Sequence, residues 1–441
     1  MNIKMLKKIM TIDSLKELIR IGTRKTASIF NLTPIPIINN ILLLIFASII
    51  LDLIFNQISN SSFVTAHILS WDTYVYICGV SLYLNGLDPY DYIVLRDCLP
   101  DNWNFYFNMP STVIYLYMPF AKLTNFQWLF IVNAINFYLL LHLFIKIIKK
   151  FEIESNFIGF ILVYLFLVFN TFDGAITVAI YSGNMGMPIA LVGLSLLINY
   201  IEKDDKKFLI FIVIVTLLKP IYICFAGAIL LKEARFKDFI IRTGCILLAV
   251  IILYSILYIL DPVNFKGFLA NTSHLTNSID LGFGFISLTK EVFDFFRINY
   301  VNTSTLTFFG STFCILHIFF IYFITRNLKT SSIEKIILIS MTTMLFFPRI
   351  KVYDSIFIIP IISYLPFYFF SRFNGQPLKV VGNIDIRTYL FRQRIHLLST
   401  LLIVYPLFIY NRWEPFHFIF IIIISLYLFI FALRRKNKEV K

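Results

Sequence analysis

Residues 71–92 read WDTYVYICGVSLYLNGLDPYDY, and they follow an apolar run over residues 35–56. That run is long enough to cross the ~30 Å hydrocarbon layer of a bilayer. Asp72 is thereby placed a short polar loop beyond the exit of a first membrane span. Behind it, Val75, Cys78, Leu82 and the rings of Tyr76 and Tyr83 recur at helical spacing, which predicts an amphipathic helix along the membrane interface. Gly86 suits a left-handed cap at the end of that helix, and Asp88-Pro89 suits the start of a turn. A carboxylate at the head of an interfacial helix is partly shielded from water, and a general base benefits from that shielding. Capping the helix is the plainer role for Asp72, and the two roles are compatible.

Outward from this stretch, the composition is that of a membrane protein. Hydrophobic residues make up 59% of the chain and charged residues only 15%, and the mean hydropathy of +0.80 is far above that of a soluble domain. The expected fold class is an all-α polytopic membrane protein of about twelve spans, with short interfacial helices on the outer face. The spans are read at 35–56, 126–147, 157–171, 185–201, 208–218, 221–231, 238–260, 303–325, 332–347, 353–370, 396–410 and 416–433. The fifth and sixth are short, and one helix interrupted at Lys219-Pro220 is an alternative to two spans there.

The net charge of +14 does not point to nucleic acid, because of where the charge lies. Lys and Arg gather in the N-terminal arm, at 146–150, 203–207, 232–242, 326–335, 372–394 and in the tail 434–441. The twelve-span reading puts all these clusters on one side. The positive-inside rule makes that side cytoplasmic, with both termini inside a plasma-membrane protein. Residues 1–34 then form a basic amphipathic arm, with Met5, Ile9, Ile12, Leu15 and Ile19 on one face against the anionic leaflet. Residues 35–433 form a single transmembrane domain with outer loops at 57–125 and 261–302, and 434–441 a basic tail.

The five cysteines show no metal-ligand spacing. Cys78 and Cys98 both fall on the outer side; a pair is open to them, but an unpaired Cys78 buried in its helix is the expectation. The chain has no phosphate-binding P-loop, no HExxH and no Asp-x-Asp pair. ATP-driven transport and metal-clamped nucleotide-sugar chemistry therefore lose weight, and neither a metal nor a cofactor is expected.

The remaining polar marks lie on the outer side. Residues 107–112 open a short apolar helix that ends near Met118-Pro119-Phe120, too short to span. Ser182-Gly183-Asn184 starts the fourth span, and Asn184 either begins that helix or contacts a sugar. Lys219 either snorkels to the interface or marks a broken helix at a site. Residues 271–284, NTSHLTNSIDLGFG, read as a polar loop in which His274 is structural or touches substrate. Residues 348–354, PRIKVYD, join two spans at the outer surface. Charges at such depth are costly unless they line a wet cavity, so each is a functional candidate.

In order along the chain, these marks resemble glycosyltransferase family 87, bacterial mannosyltransferases of the GT-C membrane fold that use polyprenyl-phosphate sugars. The resemblance covers roughly residues 35–370. It rests on Asp72 after the first span, on Gly86-Leu87-Asp88-Pro89-Tyr90, on the Pro110 helix with Pro119, on Gly183-Asn184, on Lys219-Pro220, on the loop at Asn277 and on the segment from Pro348. The late family motif Pro-x-Ser-Trp-x-His-Tyr is replaced by PRIKVYD, with Tyr353 at the histidine position. The resemblance implies a polyprenyl-phosphate sugar donor, a glycolipid or glycan acceptor and transfer on the outer face; a one-step attack would invert the anomeric centre, whereas retention would usually need a second carboxylate as nucleophile. Asp72 is then the general base. Lys219, Arg349 and Lys351 face the leaving phosphate, and Asp88, Tyr90, Asn184, His274, Tyr353 and Asp354 are the candidates for substrate contact. Two other readings stand beside it. A flippase or exporter of lipid-linked glycans would need midplane charges or inverted repeats, which are not evident. An outer-leaflet polysaccharide polymerase or ligase would be expected to carry large Arg-rich outer loops, whereas the first outer loop here is acidic.

Overall fold

The structure, a computed structural model, describes residues 71–100, 105–150, 168, 175–233, 235–276, 289–290, 292–294, 296–298, 303–327, 331–347 and 352–364. The basic arm 1–34, the expected first span 35–56, nearly all of 157–171, the spans 396–410 and 416–433 and the tail 434–441 lie outside the described residues. What is described is helical, with no strand among it. Among the described residues three helices are long and apolar enough to cross a membrane: Gln127–Ile147, Phe236–Leu260 and Ser304–Arg326.

Helix α1 (Trp71–Leu84) begins the described chain. It ends as its sequence predicts. Gly86 adopts φ +73, and Leu87 N donates to Leu82 O at 2.9 Å while Gly86 N donates to Tyr83 O at 3.0 Å. That pair of bonds is a Schellman cap, open here because glycine has no Cβ to strain. The helix is not, however, one-sided as expected. Thr73, Val75, Tyr76, Cys78, Gly79, Val80 and Leu82 are buried, which covers most of its circumference. Trp71 and Asp72 at its head, Tyr83 near its end and the stripe Tyr74, Ile77, Ser81 and Leu84 are left in part uncovered. Gly79 explains the close wrapping, since a Cβ there would stand 2.4 Å from the Phe107 ring.

Asp88 accepts a hydrogen bond from Tyr90 N at 2.8 Å, and Asp91 caps helix α2 (Tyr92–Cys98) by accepting from Ile93 N and Val94 N. The turn folds α2 back onto α1, and a Cys78–Cys98 disulfide closes the two helices together. The expectation of an unpaired Cys78 is thus corrected. Spacing along the chain does not reveal that the turn aims both thiols at each other.

Helix α3 (Ser111–Tyr117) buries Ser111, Val113, Ile114 and Tyr117 and runs into a 3₁₀ turn, Met118–Phe120. Helix α4 (Asn125–Lys150) starts with a reciprocal cap, Gln127 N to Thr124 Oγ1 at 3.2 Å and Thr124 N to Gln127 Oε1 at 3.0 Å. Helix α5 (Ala175–Ser182) leads through Gly183 into α6 (Gly186–Lys203), whose Met187, Leu191, Leu194, Leu197 and Ile198 are buried at the centre of the largest core cluster. Helix α7 (Lys207–Leu218) stops at Lys219, and a 3₁₀ stretch, Pro220–Ala226, precedes α8 (Gly227–Lys232). The fifth and sixth apolar segments therefore form two antiparallel arms, since α7 starts just after Asp204 and Lys232, at the end of α8, returns to pair with Asp204. Proline at 220 removes a donor and forbids helical continuation.

Helix α9 (Phe236–Leu260) buries only Ile246 and Val250. Ile251, Ile252, Ile259 and Leu260 are all at least half exposed. A face of that length and apolarity belongs against lipid. Residues 271–276, expected in a loop, are helical instead, in α10 (Pro262–Thr276). Asp261 accepts from Asn264 N at 3.3 Å, and Pro262 occupies the first helical position, a start signal that the loop reading passed over. Helix α11 (Thr303–Asn327) follows. After it α12 (Ser332–Thr343) opens on a complete Ser331–Glu334 capping box. A 3₁₀ turn at Val352–Phe357 precedes a last helical stretch at 359–364.

Three of the basic segments meet at one end of the bundle. Arg242 holds Asp204 through two bonds of 2.8 and 3.1 Å, and Lys232 pairs with both Asp204 and the buried Glu233. Tyr200 donates to Glu233 Oε1 at 2.6 Å, and the Arg326 guanidinium donates to the Glu233 carbonyl. Helix α6, about 27 Å long, runs from this ionic end to the turn at Asn184.

Candidate functional site

Asp72 lies in the first turn of α1 and is partly buried. Its Oδ2 accepts a hydrogen bond of 2.8 Å from Asn184 Nδ2, 112 residues away. Asn184 is itself 4% exposed, and its Oδ1 accepts from Gly186 N at 2.6 Å. One amide therefore pins the start of α6 and aims a carboxylate oxygen. The neighbouring backbone completes the joint. Gly183 adopts φ +69, and a Cβ there would stand 2.0 Å from Thr73 Oγ1. Thr73 Oγ1 in turn donates to Ser182 O at 3.3 Å. The α5–α6 turn and the head of α1 fit together only because residue 183 has no side chain. The two marks that sequence reading placed far apart, Asp72 and Gly183-Asn184, are one unit.

A cage of aromatic rings adjoins that unit. The rings of Tyr76 and Tyr117 lie 5.0 Å apart, and those of Tyr117 and Trp128 lie 4.7 Å apart. Burial, and after it the Asp72 carboxylate, pushes the Tyr117 phenol well above its ordinary pKa. Sequence reasoning passed over both Tyr117 and Trp128. Trp128 in the first turn of a span was the visible signal, since indoles favour that level of the membrane.

The second charged locus is the break at Lys219. Its Nζ lies 3.1 Å from Asp354 Oδ1, and Tyr222 donates to the same oxygen at 3.4 Å. Lys219 also sits 5.3 Å from the centre of the Tyr222 ring. Asp354, expected at the outer surface, is 6% exposed. Two candidates from separate motifs are thus joined, and Lys219 presents itself with its charge partly neutralised. Arg349 and Lys351 lie outside the described residues, and of Tyr353 only the backbone, in a 3₁₀ turn, is described.

Helix α3 connects the two loci. Thr112 Oγ1 donates to Leu217 O, two residues before Lys219, and Tyr117 at the other end lies within the field of Asp72. Five residues of helix separate Thr112 from Tyr117, about 7.5 Å.

The remaining candidates are engaged in the framework around α1, α2 and α10. Asp88 is exposed and holds its turn. Tyr90 is buried, donates to Met109 O at 2.8 Å and backs onto Gly267 of α10, where a Cβ would come within 2.7 Å of its own. Burial and the nearby Asp261 and Asp88 carboxylates raise the Tyr90 phenol, so it stays a neutral donor. Asn271, unforeseen, donates to both Tyr90 O and Phe107 O at 3.1 Å. His274 stands in the last turn of α10, with nothing described of its side chain. At the rim, Tyr115 donates to Asp261 Oδ2 at 2.8 Å. No group of three or more His, Cys, Asp or Glu among the described residues is placed to hold a metal ion.

No protein-family model, no curated protein and no solved structure matches the chain.

Proposed function

We propose that the protein is a membrane glycosyltransferase of GT-C type, moving a mannose-like hexose from a polyprenyl-phosphate donor to a glycolipid or glycan acceptor on the outer face. The observation that carries this reading is the Asp72–Asn184 contact. A carboxylate aimed by a buried amide is what a general base needs, because a proton acceptor works only when held in line with the hydroxyl it deprotonates. The position of Lys219 supports it: a cation at a helix break, linked to the Asp72 side through α3, suits a leaving phosphate. Lys219 begins paired with Asp354, so the donor phosphate takes over part of a charge that the protein already balances. The proposed topology keeps about twelve spans, with the ionic cluster around Asp204 on the cytoplasmic side and both termini there. The sealed disulfide in the first outer loop agrees with an oxidising exterior.

The test is transfer itself. Purified protein in vesicles, given polyprenyl-phosphate hexoses and a glycolipid acceptor, should form a glycosidic product. Asp72→Asn keeps the size of the side chain but cannot take the proton, and turnover should fall about 10²–10⁴-fold. A folded Asp72→Asn protein transferring at the native rate removes Asp72 from the chemistry.

One observation favours a second reading, transport of a lipid-linked glycan: the break at Lys219-Pro220, between two short arms, carries a half-buried ion pair, as broken transporter helices do. Movement of a labelled lipid-linked sugar across the vesicle membrane with no new glycosidic bond would favour it.

A further inference from the structure

Against Tyr76, one helical turn along α1 from Asp72, packs a pair of buried ring donors. The Tyr117 hydroxyl and the Trp128 indole Nε1 are buried and find no partner among the described residues. Both side chains are more than nine-tenths buried, at 4% and 5% exposure. They are neighbours, with ring centres 4.7 Å apart. Buried donors are almost always satisfied, so an acceptor beyond the described residues belongs here. The geometry favours a ligand over packing. Tyr117 sits at the end of α3 with its ring 5.0 Å from that of Tyr76, one helical turn after Asp72 on the same face of α1, and Leu129, next to Trp128, lies against the Gly183 turn that holds Asp72. Carboxylate, phenol and indole thus converge from α1, α3 and α4. A carboxylate accepts, and the two ring groups donate. A sugar ring carries adjacent hydroxyls that do both, and its apolar C–H faces match aromatic walls. The phenol remains protonated at any physiological pH, since burial and then the Asp72 charge oppose its ionisation.

We infer that Tyr117 and Trp128 form the acceptor-sugar subsite, binding through their O–H and N–H the hydroxyls that neighbour the one presented to Asp72. This rests on the transferase reading for its chemistry, but binding can be measured without it. Removing either donor weakens the bound acceptor and leaves the donor's phosphate end, at Lys219, unaffected.

The probes are octyl mannoside and octyl glucoside, titrated into wild-type protein in lipid nanodiscs, with binding read calorimetrically. Binding to wild type should weaken about tenfold in Tyr117→Phe and in Trp128→Phe, as expected for the loss of one neutral hydrogen bond. Tyr117→Phe removes an unsatisfied buried hydroxyl and keeps the ring, so its melting temperature should match or exceed the native value. In the transfer assay its acceptor KM should rise with the donor KM unchanged. Equal affinity of wild type and Tyr117→Phe for both glycosides overturns the subsite, as does failure of the wild type to bind either. Glycoside binding that depends on Tyr117, with no transfer from any polyprenyl-phosphate hexose, upholds the subsite and overturns only the transferase reading.

Discussion

Asn184 shows how one side chain couples fold and chemistry. Its amide nitrogen serves Asp72 and its oxygen serves the first turn of α6, so the two effects separate by substitution. Asn184→Ala removes both bonds and should lower kcat more than it raises KM, because Asp72 loses its aim rather than the substrate its contacts. Asn184→Asp keeps an acceptor for Gly186 N but places a second carboxylate beside Asp72. Two adjacent carboxylates cannot both ionise freely, so the first to lose its proton does so near its usual value and the second at a raised one. A base that works deprotonated is then available only at higher pH, and the acidic limb of the pH–rate profile should move upward. An unmoved limb with native kcat would show that Asn184 does not govern the base. Asp72 and Asn184 were each legible as candidates, but their contact was not. It depends on Gly183 fitting under Thr73, a relation between residues 110 positions apart that no local pattern carries.

At the scale of elements, sequence periodicity served best where a helix has one wet or lipid-facing side. Helices α4, α9 and α11 coincide closely with expected spans because their apolar length is itself the signal. Periodicity served least well in α1, where burial on nearly every side replaces the stripe with a mixed pattern. It also missed α10, whose polar NTSH segment resembles a loop although Asn271 uses its amide to bind the carbonyls of Tyr90 and Phe107. The disulfide between α1 and α2 is the clearest lever at this scale. It closes a loop of about 20 residues, and constraining the unfolded chain to that extent is worth about 3 kcal/mol. Cys98→Ser should therefore lower the melting temperature by several degrees, and reductant should lower the wild type to match it while leaving the variant unchanged. A variant as stable as oxidised wild type would show that the helices hold each other without the bridge.

For the whole molecule, the arrangement of charge is the feature that orders everything else. Asp204, Lys232, Glu233, Arg242 and Arg326 converge at one end, whereas Asp72, Lys219 and Asp261 stand where α6, α7 and α9 reach their other ends. One-sided basic clusters were legible in the sequence, but their joining through Glu233 was not, because Glu233 lies among the Lys and Arg it neutralises. The proposed sidedness is open to a direct measurement. Cysteines introduced singly at Asn102 and Asp280 should react with an impermeant maleimide from outside intact cells, and one at Lys441 only after permeabilisation. Reaction at Asn102 from the cytoplasmic side alone would invert the topology. Helix α6 gives this charge separation a mechanical meaning. At one end it begins two residues after the amide that aims Asp72, and near the other Tyr200 is engaged by Glu233 and Arg242. A helix turns about 100° per residue, so its two ends share a single rotational phase. Asn184 cannot swing away from Asp72 by axial rotation of α6 unless Tyr200 leaves its ionic seat, and the reverse holds as well. The helix is a keyed shaft, and the clamp at its far end sets the angle at which the carboxylate is presented.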